Sequence, residues 1–570
     1  MKPVRLAASA TTALPRWALY ALCLLYILPG LIGRDPWKNA DATGFGVMWT
    51  MAHGSLHDWL WPNVVGLPIP DHGPLAFWLG ALCIKLFGGL LGDPMAARVS
   101  LIFFFLIGAV SIWFCTYLLG RRAEAQPLKL AFGGHPSEIN FARMLADGAL
   151  LIYLASLGLL VYSHETTASA LHVSLIALLL CVCAYFLEAP SYKKSLALGG
   201  VLSLLMLTYN WLIPLFLFLS ILCLLYMRHK AFWKYTGTSL VAPGLLVGLV
   251  WLLKEPTPWV NLPLDFWIFH TQQQIALPSW STLGYFFRGS FWFTWPAWPF
   301  AAWAIYAWRR QYKGLHIALP LVFIVVLFLA TVCNPRNEER ALLSLLPPLA
   351  ILAAFGLPTM KRGAINAIDW FAVMILSFFA GFIWLAWIAK QTNWPPQLAK
   401  NVLKLAPGFK SEVNLLALAI ALCATILWIW LIHWRLSRQP KMLWRAAVLS
   451  SGGIIFCWLL LMTLWLPWVN YGKSYRSVAE KIRQNLPLSS YCVDANIGSA
   501  QRASFAYFGK IDFARTSSRN CLYFLTQDNL SRKNQIKLFE RSGEKWQLLW
   551  EGRRPSDRDE RFRLFKRINE

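Results

Sequence analysis

The chain alternates long apolar runs with short polar stretches, and about 20 consecutive apolar residues cross a bilayer as a helix. Taken in order, the runs predict thirteen spans: about 17–33, 98–119, 146–162, 168–187, 195–210, 211–227, 237–253, 290–308, 315–332, 341–358, 368–389, 412–433 and 446–467. Their direction follows from lysine and arginine, which mark the cytoplasmic side of short loops. Lys2, Arg5 and Arg16 precede the first span, so it runs in to out. Basic clusters then recur at alternate turns, as Arg121-Arg122, Lys193-Lys194, Arg228-His229-Lys230, Arg309-Arg310, Lys361-Arg362, and Arg435, Arg438, Lys441 and Arg445. The apolar stretch 74–92 breaks this parity if counted as a span, because it places Arg121 and Arg122 outside. It carries Lys85 and several glycines, and we read 74–90 as an interfacial helix.

Thirteen spans place the polar, basic tail 468–570 outside, and it is long enough for one small domain. Its runs YCVDA, SFAYFG, CLYFLTQ, WQLLWEG and RFRLFKRI predict short strands, and SYRSVAEKIRQNL an amphipathic helix. The expected fold is an integral-membrane all-α bundle of about thirteen transmembrane helices over 1–467. The first external loop, 34–97, holds interfacial helices, and a small α/β domain follows over 468–570. The basic N-terminus and the run 18–32 mimic a signal peptide, but no small-residue cleavage site follows, so a retained signal anchor is expected.

Composition agrees. The chain is 57% hydrophobic and 14% charged, with mean hydropathy +0.48 and formal net charge +26. Cytoplasmic loops and anionic lipid head groups account for that basic excess. A nucleic-acid partner is not expected, since no soluble basic module with a recognisable motif is present. The eleven cysteines show no CxxC pair and no metal-ligand spacing. Cys492 and Cys521 lie in the tail and can pair there if it faces an oxidising compartment.

Most predicted span interiors lack ionisable residues, unlike pumps and ion-coupled transporters. Acids and bases gather instead at external span ends. The first loop holds Asp35, Asp41, Asp58 and Asp71 with Arg34, Lys38 and the histidines 53, 57 and 72. His164-Glu165 follow the third span, Glu255 and Asp265 the seventh, and Arg336, Glu338, Glu339 and Arg340 the ninth, while Arg288 adds a further external cation. This clustering predicts an active site at the outer interface. Nucleotide sugars and ATP are not freely available there, so a transferase needs a donor that arrives in the bilayer. A polyprenyl phosphate carrying a sugar fits: its tail runs in grooves between spans and its phosphate needs interfacial cations. An acceptor hydroxyl needs a general base, for which a carboxylate serves, and the departing lipid phosphate needs Arg or Lys.

Four motifs resemble the GT-C glycosyltransferases of family 39 type, which include bacterial aminoarabinose lipid A transferases and protein O-mannosyltransferases. RDPWKNADA, with Asp35 and Asp41, stands where that family has an acidic motif after its first span. VGLPIPDHGPLAFWLGALCIKLFG resembles the family's N-G-x-P-x-x-D-K-P-P-L stretch and interfacial helix. YLLGRR, 117–122, is similar to the LLGRR that ends its second span, and RALLSLLPPLAIL, from Arg340, to its late R-Y-L-L-P-L-L-P-P-L run. The resemblance covers most of 17–358. It implies Asp41 as first choice for the catalytic carboxylate and Asp35 as second, although either also reads as a cap for an apolar helix. It implies a second acidic element at His164 and Glu165, and donor-phosphate binding by Arg340, Arg288 and Lys38. Asp71 and His72 are the first-loop motif, with His72 in place of the usual lysine and Gly73 in place of the first proline. No metal-ligating set is assigned, and no cofactor is certain, although a divalent metal is possible. The activity implied is transfer of a sugar, with inversion, from a polyprenyl-phosphate donor to lipid A, another glycan or protein at the periplasmic face of a bacterial inner membrane. The alternative is a lipid-linked glycan transporter or flippase.

Overall fold

The computed structural model describes the chain apart from residues 1–3, 13, 131–133, 210, 229–232, 253–272, 274–275, 336–337, 437–443, 488–490, 516–520, 530–537, 542–543, 558 and 569–570. Glu255, Asp265 and Arg336 lie outside the described residues. Helix α1 (Arg16–Ile27) leads into the first loop, which folds as α2 (Ala40–His53), the short α3 (Leu56–Leu60), a two-stranded hairpin of β1 (Asn63–Val64) and β2 (Leu67–Pro68), and α4 (Leu75–Leu91). Then come α5 (Asp93–Arg121), α6 (Glu138–Leu154), α7 (Leu157–Tyr162), α8 (Ala168–Glu188), α9 (Tyr192–Met206), α10 (Leu212–Arg228) and α11 (Trp233–Leu252). The second half holds α12 (Trp280–Phe293), α13 (Ala297–Ala307), α14 (Leu315–Val332), a 3-10 turn (Glu339–Leu345) running into α15 (Leu346–Ala354), α16 (Arg362–Thr392), α17 (Pro396–Leu405), α18 (Leu415–Leu436) and α19 (Arg445–Leu464).

The protein is a multi-pass helical membrane protein. Among the described residues seven segments are long and apolar enough to cross a bilayer: Asp93–Arg121, Ala168–Glu188, Leu315–Val332, Glu339–Thr359, Gly363–Thr392, Leu415–Arg435 and Ala447–Leu464. Arg16–Ile27 and Leu212–Tyr226, within the predicted spans 17–33 and 211–227, are shorter apolar helices. The expected span 146–162 begins earlier, as α6, and breaks at Ala155-Ser156, where Leu157 N–H leaves the helix ladder for the carbonyl of Trp295. The expected span 290–308 is split between α12 and α13 at Thr294–Pro296, which places Arg288 inside a helix rather than in a loop.

The stretch read as an interfacial helix, 74–90, is α4, a 17-residue apolar helix. At one end Leu75 N–H donates to the carbonyl of Leu207, just beyond α9. At the other, Asp93 accepts from the indole of Trp49 in α2 at 3.2 Å. The end of α9 and the first loop therefore hold the two ends of α4. A Cβ on Gly80 would lie 2.2 Å from the sulfur of Met48, so α4 packs close against α2.

The tail opens with α20 (Leu466–Lys473) and α21 (Arg476–Gln484). It then forms a five-stranded mixed sheet in the order β3 (Val493–Asn496), β4 (Tyr523–Asn529), β7 (Glu560–Arg567), β6 (Glu544–Gly552), β5 (Leu538–Arg541). Only the β3–β4 pair is parallel. Cys492 and Cys521 form a disulfide, with Cα atoms 5.1 Å apart, beside that pair. SFAYFG, expected as a strand, is instead the end of helix α22 (Ser499–Gly509). It is apolar on two sides because Phe505 and Ala506 enter the domain core while Ala503 and Tyr507 meet α2, and a helix buried on two faces loses its one-sided pattern.

Candidate active site

The first loop, the α7–α8 turn and the soluble domain converge around Asp41. Its side chain is fully buried at the first turn of α2. One carboxylate oxygen, Oδ2, accepts from Arg34 Nη2 at 3.1 Å, Trp37 N–H at 3.0 Å and Arg98 Nη2 at 3.3 Å. The other, Oδ1, accepts from Thr166 N–H at 2.8 Å and Thr166 Oγ1 at 2.9 Å. Burial opposes its charge, but the two guanidinium groups and the N–H donors outweigh burial and pull the carboxyl down to about 2. Two guanidinium groups on one carboxylate leave the cluster with surplus positive charge. The close approach of Thr166 depends on Gly44, where a Cβ would fall 1.7 Å from the Thr166 carbonyl oxygen.

Asp35 points elsewhere. Arg476 of α21 grips it in a two-pronged pair at 2.7 and 3.1 Å. Its backbone N–H donates to Asn470 Oδ1, so it ties the first loop to the soluble domain. Lys38 likewise faces that domain, 3.7 Å from Asp557, and its N–H donates to the carbonyl of Lys473. His164 is buried between Trp458 and Tyr26, at ring distances of 4.8 and 5.6 Å, with its nitrogens near the carbonyls of Leu160 and Tyr26. Its place is in the packing that fixes the α7–α8 turn.

Glu165, the next residue, opens onto a cavity of about 540 Å³ shared with Tyr162, Tyr285, Arg288, Trp292 and Glu339. Burial, and then the negative charge of Asp41, raise its carboxyl, against the pull of Arg34, Arg340 and Lys473, to about 7. A carboxylate poised near neutrality and facing a cavity is suited to accept a proton.

A second cavity, of about 370 Å³, has an apolar wall of Leu212, Ile213, Phe216, Val326 and Leu329 and a polar end of His72, Tyr209, Glu338 and Arg340. A smaller one, about 240 Å³, shares that polar end and reaches Asp71, Thr167 and Ser499. Tyr209 stands between His72 and His172, at ring distances of 5.4 and 5.6 Å. Glu339 and Arg340 are consecutive on the 3-10 turn, yet Glu339 lines the Glu165 cavity and Arg340 the other two. That turn borders all three. Among the described residues no three His, Cys, Asp or Glu side chains are grouped to hold a metal ion.

Of the residues singled out from sequence, Glu165, Arg288, Arg340, Asp71 and His72 line cavities. Asp41 lies behind them, and Asp35, Lys38 and His164 serve packing and domain contacts. Missed were Arg98, Thr166, Lys473 and Arg476. Arg98 had a signal: it is an arginine at the very start of the predicted span 98–119, where an apolar neighbourhood calls for an anionic partner.

No family model matches the chain, and no curated protein matches it. Solved structures do. ArnT from Cupriavidus metallidurans bound to undecaprenyl phosphate matches with TM-score 0.65 and 13% identity, over 96% of this chain and 97% of that one. The same protein in its apo state matches with TM-score 0.62 and 14% identity, over the same shares. The chain thus has the multi-pass helical fold of ArnT, carried through its full length to the small C-terminal sheet domain.

Proposed function

We propose that the protein is a membrane glycosyltransferase that moves a sugar from a polyprenyl-phosphate donor to an envelope acceptor, lipid A, another glycan or protein, at the periplasmic face of a bacterial inner membrane. The observation that carries this is the pair of cavities bordered by one turn. One is a half-apolar groove ending at Arg340, and the other holds the near-neutral carboxylate of Glu165. The fold-level neighbour holds undecaprenyl phosphate, a lipid with the chemistry the groove suits. The Cys492–Cys521 bond suits an oxidising compartment for the soluble domain.

In this reading the lipid tail lies along Leu212, Ile213, Phe216, Val326 and Leu329, and Arg340 holds the phosphate. Glu165 takes the proton from the acceptor hydroxyl. The acceptor oxygen attacks the anomeric carbon, and the bond from that carbon to the phosphate oxygen breaks with inversion. Arg340 offsets the charge that develops on the leaving phosphate, and Arg288 stands with Glu165 in the neighbouring cavity. The base is assigned to Glu165 rather than Asp41 because both Asp41 oxygens are committed to buried donors. Asp41 anchors Thr166, and with it the preceding Glu165, and its charge keeps the Glu165 carboxyl high. The test is transfer of labelled sugar from a synthetic polyprenyl-phosphate donor to envelope extract by the purified protein. Loss of transfer in a well-folded Glu165→Gln variant supports the reading, and undiminished transfer sinks it.

A further inference from the structure

Helix α16 is a 31-residue apolar helix whose flank is exposed at Phe371, Met374, Phe378, Phe379 and Phe382, as a lipid-facing span would be. Near its end Lys390 is only 7% exposed. Its ammonium sits 5.0 Å from the ring centre of Trp465 and 5.6 Å from that of Phe409. Among the described residues no carboxylate pairs with it. Two aromatic faces offset only part of an ammonium's desolvation and bring no opposite charge.

The segment that covers Lys390 adds to that charge. Helix α17 packs Ala399 and Val402 inward and leaves Lys400 and Lys404 exposed one turn apart. Like charges at that spacing repel unless an anion lies between or above them. Lys410 follows, and over 390–412 Glu412 is the only acid against these four lysines. Trp394, Leu403, Leu405, Leu415 and Leu416 are exposed around them. An amphipathic helix with basic residues and an apolar fringe is the build of a segment that lies at a membrane surface. Tyr471 of α20 meets Phe409 edge-on at 5.5 Å between ring centres and donates to the Pro407 carbonyl at 2.8 Å. This surface therefore lies at the face that bears the soluble domain, and none of its residues lines the cavities described above.

We propose that Lys390 forms a docking site for the phosphate of an anionic phospholipid, with Lys400 and Lys404 adding positive charge on the exposed face of the covering helix. The ammonium between two rings receives the phosphate, and the acyl chains lie along the exposed flank of α16. The lipid is preferred to free phosphate as the source because the cation stands at the end of a lipid-facing helix beside exposed apolar side chains. The test uses the full-length protein in neutral detergent, with native mass spectrometry and thermal unfolding. Phosphatidylglycerol, phosphatidylcholine and inorganic phosphate are the probes. Expected is retention of phosphatidylglycerol and a raised melting temperature, with neither from the other two. Lys390→Met, and separately Lys400→Gln with Lys404→Gln on the exposed face, weaken phosphatidylglycerol binding at least tenfold while the lipid-free melting temperature stays put. Equal retention of phosphatidylcholine, an equal shift with inorganic phosphate, or wild-type binding in both variants overturns the proposal.

Discussion

Thr166 holds Asp41 with both its N–H and its hydroxyl, at 2.8 and 2.9 Å, and the residue before it is Glu165. A buried carboxylate thus fixes the backbone from which a cavity-facing carboxylate projects. The two acids have opposite tasks, set by their surroundings.

Glu165→Gln keeps shape and removes the proton acceptor. We expect transfer to fall about 100- to 10,000-fold, the usual worth of a positioned general base, with a melting temperature near that of the parent. In the parent, kcat/KM should rise tenfold per pH unit up to about 7 and then level, because Glu165 must lose its proton to act. A wild-type pH profile flat from 5 to 8 contradicts this role.

Asp41→Asn turns an amide N–H toward Arg34, Arg98 and the Trp37 N–H, leaving buried guanidinium groups uncompensated. Breaking one partner of a buried charge cluster costs about 3–5 kcal/mol, so this variant should lose activity together with stability in detergent unfolding. The folded carboxyl titrates near 2 rather than at its ordinary 3.8. Its contribution is therefore complete above about pH 4 and is lost as pH falls through about 2. An inactive Asp41→Asn protein as stable as the parent would instead favour a direct chemical role for Asp41.

Asp35→Asn removes a pair whose arginine is half exposed. Such pairs are worth about 0–1 kcal/mol, so transfer should stay within a few-fold of the parent. A double-mutant cycle with Arg476→Gln measures the coupling, and total loss of transfer in Asp35→Asn alone contradicts the assignment.

Gly44→Ala adds one methyl where the Thr166 carbonyl stands 1.7 Å away. The α7–α8 turn must shift. A 1 Å displacement of a catalytic group costs on the order of 100-fold in rate, and we expect that scale of loss in single-turnover transfer.

Arg340→Ala should raise the KM for a lipid-phosphate donor and lower kcat, with little effect on the melting temperature. An unchanged KM contradicts its place at the phosphate.

Much of this was legible in the sequence because membranes constrain it. Charge parity alone set 74–90 apart from the spans, and it forms the separate 17-residue helix α4. The Cys492–Cys521 bond and most tail strands were readable from local pattern. The roles of the acids were not. Asp41 looks like a loop residue until Arg98, 57 positions on, and Thr166, 125 positions on, close over it. Helix α22 hid for a related reason: its apolar side chains serve two partners, so its periodicity resembles alternation. The breaks at Ala155-Ser156 and Thr294–Pro296 depend on contacts across the bundle, and hydropathy averages over them.

The turn from Glu339 gives its two neighbours opposite outlooks, an acid toward one chamber and a guanidinium toward the other. A single-residue deletion just before it would bring Arg340 to the place of Glu339, against Glu165, and leave Ala341 at the groove, whereas an insertion would bring Glu339 to the groove in place of Arg340. Either change would alter the lining of both chambers at once.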